Sequence, residues 1–202
     1  MLFFDDDVVL SPGCIEAHLR AYTEADRGGV VGRIKEQRLR VNSRRRANRV
    51  GVSGRVHVNL DVEDSGPIQT LKGCNMSFRR AALEAAGPFD PHYAGTAFLE
   101  DADMSVRVAA AGWSLWYEAR AQVLHRSDPV GGVRPANRAE QEWWRFHNTG
   151  RFVRRHRRMP SLMLVVPSFG AIALRRALEW RSIRAPARLL GALWDGWSAG
   201  GS

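Results

Sequence analysis

The stretch 99–112 constrains this chain most. It runs Leu99, Glu100, Asp101, Ala102, Asp103, Met104 and ends at Gly112. Met104, Val108 and Ala111 recur at the spacing of one helix face. Gly112 stands where a helix C-cap is expected. The carboxylates crowd the first turn, where the helix dipole favours negative charge. Asp103 and Arg107 form an i, i+4 pair. The spacing therefore predicts a helix with Glu100 and Asp101 at its entrance, where a loop can aim them into a cleft.

A second acidic feature lies at the start of the chain. Leu2, Phe3 and Phe4 form a short apolar run that reads as a buried strand, and Asp5, Asp6 and Asp7 follow at once. Three adjacent carboxylates repel one another, and a divalent cation would compensate them, since hard cations take oxygen ligands. Along an extended chain Asp5 and Asp7 face one side while Asp6 faces away. A third element is His125, which closes the apolar run 121–125. Two Asp and one His suit Mn²⁺ or Mg²⁺. A further carboxylate held apart from the ion can act as a general base.

Between these features the pattern alternates strands and helices. Ser11, Pro12 and Gly13 read as a helix entrance, and 14–25 as a helix with Ile15, Leu19 and Tyr22 on one face. Gly28 and Gly29 end it, and 30–34 is a strand. Residues 52–58 and 69–78 read as strands, the second interrupted at Gly73, Cys74 and Asn75, where a ligand or another backbone can approach closely. Residues 79–86 form a short helix stopped by Gly87 and Pro88. Residues 113–117 and 121–125 read as two short strands.

The net charge of +9 directs the chain toward anionic partners: nucleic acid, an anionic membrane or a phosphate-bearing substrate. Residues 38–55 hold seven arginines and no aromatic residue, which argues against stacking on single-stranded nucleic acid. Cys14 and Cys74 are the two cysteines and fit a reducing compartment. Residues 127–137 read as a flexible loop and 139–158 as a strongly basic helix. The apolar run 161–174 is broken by Pro167 and Gly170, and it is shorter than the roughly 20 residues that span a bilayer. Beyond it, Arg175, Arg176, Arg181, Arg184 and Arg188 alternate with Leu178, Trp180, Leu189, Leu190 and Trp194. That pattern suits amphipathic helices in a membrane interface; packing of an appendage on its own domain or a partner is the alternative.

Taken together, the motifs resemble the family 2 glycosyltransferases, inverting enzymes of the GT-A fold. The resemblance rests on 3–9 with Pro12 and Gly13, on 73–80, on 87–90, on 99–107 with Ala111 and Gly112, and on 123–125. It covers about residues 1–158. It implies an α/β fold: a partial GT-A, Rossmann-like mixed sheet flanked by helices, over 1–136, with a basic helical appendage over 137–202. It implies that Asp5 and Asp7 match the metal and diphosphate motif and that His125 completes the metal site with Mn²⁺ or Mg²⁺. Asp6, Gly73 and Asn75 fall in the donor-binding motifs. Asp101 matches the carboxylate that deprotonates the acceptor hydroxyl, with Glu100 orienting acceptor or base. The partners implied are a nucleotide-sugar donor and a glycan or lipid-linked acceptor, at the inner face of the plasma membrane, with peripheral contact through 161–197 and no specific nucleic acid. The family begins with a β-α-β-α unit that holds the nucleotide base and ribose; Met1 falls just before the acidic motif here. The chain is therefore expected to behave as a C-terminal part, with an exposed sheet edge and poor nucleotide-sugar binding by itself. A non-catalytic basic module for membrane or nucleic acid is the alternative function.

Overall fold

The computed structural model describes residues 1–36, 49–51, 55–126, 137–156 and 159–199. Most of the arginine-rich run 38–55 and of the expected loop 127–137 lies outside the described residues. The chain divides into two compact units. The first holds Met1–Arg49, Val56–Phe89 and Asp101–Gly132; the second holds Val50–Arg55, Asp90–Glu100 and Val133–Ser202.

The first unit is built on a mixed sheet. Its strands are β1 (Leu2–Phe4), β2 (Val8–Leu10), β3 (Arg27–Glu36), β6 (Gly66–Pro67), β7 (Asn75–Phe78) and β8 (Ser114–His125). The order is β1-β7-β3-β8-β2, with β6 also paired to β8. Two further strands, β4 (Arg49–Val50) and β5 (Val56–His57), make a separate two-stranded sheet. Among the described residues only β3 and β8 run parallel; the other described pairs of the large sheet are antiparallel. The carboxyl ends of β1, β3 and β8 and the amino ends of β2 and β7 consequently share one edge. Helices α1 (Cys14–Arg20), α2 (Arg80–Ala86) and α3 (Glu100–Ala110) complete the α/β fold. Val31 and Ile34 of β3, Met76 and Phe78 of β7, Tyr117 and Val123 of β8, and Met104 and Val108 of α3 share one core.

Several expectations are corrected here. The strand 2–4 is not buried: it is an edge strand, and Leu2 stays 37% exposed. Asp6 and Asp7 form a turn, not an extended run, between the two edge strands β1 and β2. Helix α1 ends at Arg20 and buries Cys14 and His18, while Ile15 and Leu19 face solvent. The face is chosen by polar partners inside the sheet, which outrank the apolar count. Ala111 is exposed, although Met104 and Val108 are buried as the spacing requires. Residues 113–125, read as two strands, form the single irregular strand β8. Residues 69–74 stay outside the sheet, so β7 keeps only the last part of the run 69–78.

The glycine pair is the most instructive correction. Gly28 and Gly29 do not stop a helix; they lie inside β3. A Cβ on Gly28 would stand 2.5 Å from the Trp113 Cβ, and one on Gly29 would stand 2.8 Å from Leu71 Cδ1. Gly32 is tighter still, since its Cβ would meet the Ala121 carbonyl at 1.9 Å and Asn75 Nδ2 at 2.2 Å. The β3–β8 register shifts between Gly32 and Ile34. The Asn75 amide enters at that irregularity and donates to Ala121 O at 2.8 Å and Arg33 O at 3.1 Å. A side chain thus supplies hydrogen bonds that the interrupted ladder does not.

Those donations fix a directed chain. Asn75 Oδ1 accepts, so His18 Nε2 carries the hydrogen across their 2.9 Å contact. Burial lowers the His18 pKa, against the opposing pull of Asn75 and Glu118. The neutral ring then accepts at Nδ1 from Ser77 Oγ at 2.9 Å, and Ser77 in turn accepts from Tyr22 OH at 2.9 Å. Because the folded pKa lies below the unfolded one, protonation opposes folding. Stability is expected to be full above the ordinary histidine value of 6.5 and to fall as pH drops from there toward the folded pKa. Thermal melts between about pH 8 and 5, paired with NMR titration of the His18 ring, check this. A His18 ring that titrates above its ordinary value would refute it.

The second unit contains α4 (Arg138–His156), α5 (Met159–Glu179) and α6 (Ala185–Ala199). Phe146 and Val153 of α4 pack with Val165 and Phe169 of α5 and Leu189 and Leu193 of α6. Helix α5 continues through Pro167, although a proline there predicts a break. Asp90 anchors the unit: Arg151 Nε and Nη2 donate to it at 3.0 and 2.8 Å, Arg155 pairs with it, and the His92 amide donates at 3.0 Å. Burial alone would raise the Asp90 carboxyl, but the His92 and Arg151 hydrogen bonds hold it well below the usual carboxylate range. Gly150 and Gly196 let α4 and α6 touch backbone to backbone, since their Cβ atoms would stand 2.0 Å from Leu193 O and 1.8 Å from His147 O.

Candidate functional site

The shared strand-end edge of the first unit gathers the chemistry. The turn after β1 presents Asp5 and Asp7, and β8 ends on His125. Asp5, Asp7 and His125 each offer a ligand atom, and these atoms lie within 4.8 Å of one another. The turn explains the convergence better than strand alternation does: it folds Asp7 back toward His125, whose Nε2 lies 3.1 Å from Asp7 Oδ1. The ladder continues past this point, with the Arg126 amide donating to Asp7 O at 2.9 Å. Two carboxylates and an imidazole form a donor set that suits a divalent cation. Asp6 is exposed at the tip of the turn and is not part of the cluster.

The other nitrogen of His125 is held as well. Glu36 ends β3 and pairs in register with His125, and its two oxygens lie 2.9 and 3.0 Å from Nδ1. Glu36 was not singled out from the sequence. Its signal is an acid closing a strand parallel to the one His125 closes, which becomes readable once the register is known.

Asp101 stands at the entrance of α3 and is 6% exposed. Ala97 and Leu99, just before it, adopt left-handed backbone angles with φ of 50° and 74°. Such angles cost of order 1–3 kcal/mol each for residues other than glycine, and they turn the chain into the helix. Asp101 Oδ2 accepts from Lys72 Nζ and from the Gly73 amide, both at 3.0 Å, while Oδ1 accepts from the Ala102 amide at 2.8 Å. A carboxylate offers about four acceptor positions, so Oδ1 keeps capacity for one more donor. Asp101 holds the Lys72 ammonium above the ordinary lysine range. Lys72 too was not singled out; it sits next to the Gly73 motif, and its role depends on α3 arriving beside that loop.

Both groups of carboxylates bear electrostatically on one buried thiol. The buried Cys74 thiol is pushed up to about 12, chiefly by burial; Lys72 opposes the shift, and Asp5, Asp101 and Glu36 add to it. Lys72 likewise feels Asp5 as well as Asp101. Gly73 reaches Asp101 through its amide. The Asn75 side chain is spent inside the sheet on His18, Arg33 and Ala121. Glu100 opens α3 and is half-buried.

The chain is 30% identical over 149 residues to an N-acetylglucosaminyl-diphospho-decaprenol L-rhamnosyltransferase of Mycobacterium tuberculosis, from strains CDC 1551 / Oshkosh and ATCC 25618 / H37Rv alike. The aligned stretch takes in 65% of this chain and 48% of the relative, so the chain spans about half the length of the curated relatives it matches. Residues 1–87 match the family described as Glycosyl transferase family 2. The acidic turn, the Lys72–Gly73 loop and the Asn75 strand all fall within the matched residues.

Proposed function

We propose that this protein transfers a sugar from a nucleotide-diphosphate donor to a hydroxyl of a glycan or lipid-linked acceptor, with inversion, in cell-envelope polysaccharide synthesis. The observation that supports this reading is that ligand atoms of Asp5, Asp7 and His125 lie within 4.8 Å of one another on the strand-end edge. Open α/β sheets bind ligands outside the carboxyl ends of their strands. Asp5, Asp7 and His125 would hold Mn²⁺ or Mg²⁺. A bound ion would offset the charge of the departing nucleoside diphosphate. Asp101 Oδ1 takes the proton of the acceptor hydroxyl, whose oxygen forms the new bond to the anomeric carbon as the bond to the diphosphate oxygen breaks. Lys72 and the Gly73 amide hold Oδ2 and so orient the base. The relative's name gives L-rhamnosyl as the sugar transferred and N-acetylglucosaminyl-diphospho-decaprenol as the acceptor; a deoxysugar donor and a lipid-diphosphate-linked sugar acceptor are proposed here.

The experiment is transfer by the 202-residue chain at millimolar nucleotide sugar, with Mn²⁺ and a lipid-diphosphate-linked acceptor, read by mass spectrometry. Product is expected with Mn²⁺ and not after chelation or in Asp7→Asn. Equal product with and without the metal would remove the metal from the reading, and no product with any dTDP- or UDP-sugar would remove transfer by this chain alone.

Contact with the inner face of the plasma membrane is part of the same proposal. No described helix is long and apolar enough to cross a membrane. The helical unit nevertheless exposes Leu178 by 81%, Ile183 by 95% and Trp194 by 60%, beside the exposed Arg175, Arg181, Arg184 and Arg188. Apolar burial plus attraction to anionic lipid drives interfacial binding. Leu178→Asp and Ile183→Asp are each expected to weaken sedimentation with anionic vesicles by roughly tenfold. Because both residues are solvent-exposed, the fold should be untouched; unchanged pelleting in both variants would assign this face elsewhere.

A further inference from the structure

We propose that Glu36 is the positioning residue that sets which nitrogen of His125 is available to a metal ion. The inference rests on the metal-site reading of Asp5, Asp7 and His125 and goes beyond it.

The imidazole lies between two carboxylates. Glu36 faces Nδ1 with both oxygens, at 2.9 and 3.0 Å, and Asp7 faces Nε2 with Oδ1 at 3.1 Å. An ionised carboxylate only accepts, so each of these groups favours a hydrogen on the nitrogen it faces. A neutral imidazole has one hydrogen to place. If it sits on Nε2, that nitrogen has no lone pair left for a cation. If it sits on Nδ1, directed at Glu36, the Nε2 lone pair points toward Asp5 and Asp7. The shorter, two-oxygen contact of Glu36 decides in favour of Nδ1–H.

The backbone makes this contact reproducible. Glu36 and His125 are the last pair of the parallel β3–β8 ladder among the described residues. Their side chains are neighbours because β3 and β8 are hydrogen-bonded in that register. The ring is 9% exposed and Glu36 30% exposed, so the acid can be replaced without opening the core. A partner on the far nitrogen of a metal-bound histidine fixes the ring's tautomer and orientation, and its loss typically costs about 10–100-fold in metal affinity.

Two variants separate position from charge. Glu36→Gln can still accept from Nδ1–H but carries no charge; Glu36→Ala can do neither. The 202-residue chain with ¹⁵N-histidine is saturated with Mg²⁺ for long-range ¹H–¹⁵N correlation, and Mn²⁺ affinity is measured separately by electron paramagnetic resonance. The expected result is an Nδ1–H His125 ring in the parent and in Glu36→Gln. Mn²⁺ affinity should fall about 10–100-fold in Glu36→Ala and less in Glu36→Gln. The proposal is overturned if the parent ring carries its hydrogen on Nε2, or if Glu36→Ala binds Mn²⁺ within about twofold of the parent. Neither readout involves sugar transfer. A parent chain that binds no Mn²⁺ overturns the metal site itself, whereas equal binding by parent and Glu36→Ala overturns Glu36 alone.

Discussion

Asp101→Asn is expected to lower turnover by about 10²–10⁴-fold, the usual worth of general-base assistance, while Mn²⁺ binding persists. Asparagine keeps the size of the side chain, and its oxygen can still accept from Lys72 and the Gly73 amide. Its amide nitrogen then replaces Oδ1, the one oxygen with room for a further donor beyond the Ala102 amide. Asparagine cannot take the acceptor's proton there. Steady-state kinetics should show the loss in kcat, because the interaction is made as the proton moves and not when the acceptor binds. Glu100→Gln is the control. If Asp101→Asn stays within a few-fold of the parent while Glu100→Gln abolishes transfer, the base is Glu100.

The largest structural effect is expected from Gly32→Ala. The added carbon would sit 1.9 Å from a backbone oxygen and 2.2 Å from the Asn75 amide, so both β8 and Asn75 must give way or β3 must shift. Overpacking of a core typically costs 1–3 kcal/mol. Displacing Asn75 also strips hydrogen bonds from Arg33 O and Ala121 O, at about 1–3 kcal/mol for each group left buried and unpaired. A total on the order of 3 kcal/mol or more implies a fall of roughly 6–12 °C in the melting midpoint of a protein this size. The same displacement disturbs the register that ends in Glu36 and His125. Calorimetry would check the first effect and Mn²⁺ titration the second. A midpoint within about 2 °C of the parent would show that β8 yields at Ala121 without cost.

What the sequence made legible follows from what local patterns encode. The helix over α3 and its Gly112 terminus were readable because periodicity and caps are local. The convergence of Asp5, Asp7 and His125, and the place of Asp101 at the start of α3, were readable because acids and a histidine at element ends are conspicuous. Lys72 and Glu36 were not, because each acquires its role from a partner 29 or 89 residues away. The buried face of α1 was misjudged for a related reason. Ile15 and Leu19 form the better apolar stripe, but His18 finds Asn75 and Ser77 inside the sheet, and a satisfied polar chain fixes the helix the other way. Gly28 and Gly29 look like punctuation in one dimension. Only the Trp113 and Leu71 side chains show that the absence of a Cβ there is a packing requirement.

The contact of α4 with α6 at Gly150 and Gly196 bears on how the apolar arginine-rich surface would meet a lipid. Helices whose main chains touch at two points cannot slide along or roll past each other without backbone atoms colliding. The side chains of α6 are therefore displayed at fixed spacing before any encounter. Many interfacial peptides must order themselves as they adsorb and forfeit part of their binding free energy to that ordering. A surface cast in advance loses none of it. Its selectivity would then come from matching a particular arrangement of charges and acyl chains, and not from adapting to whichever membrane it reaches.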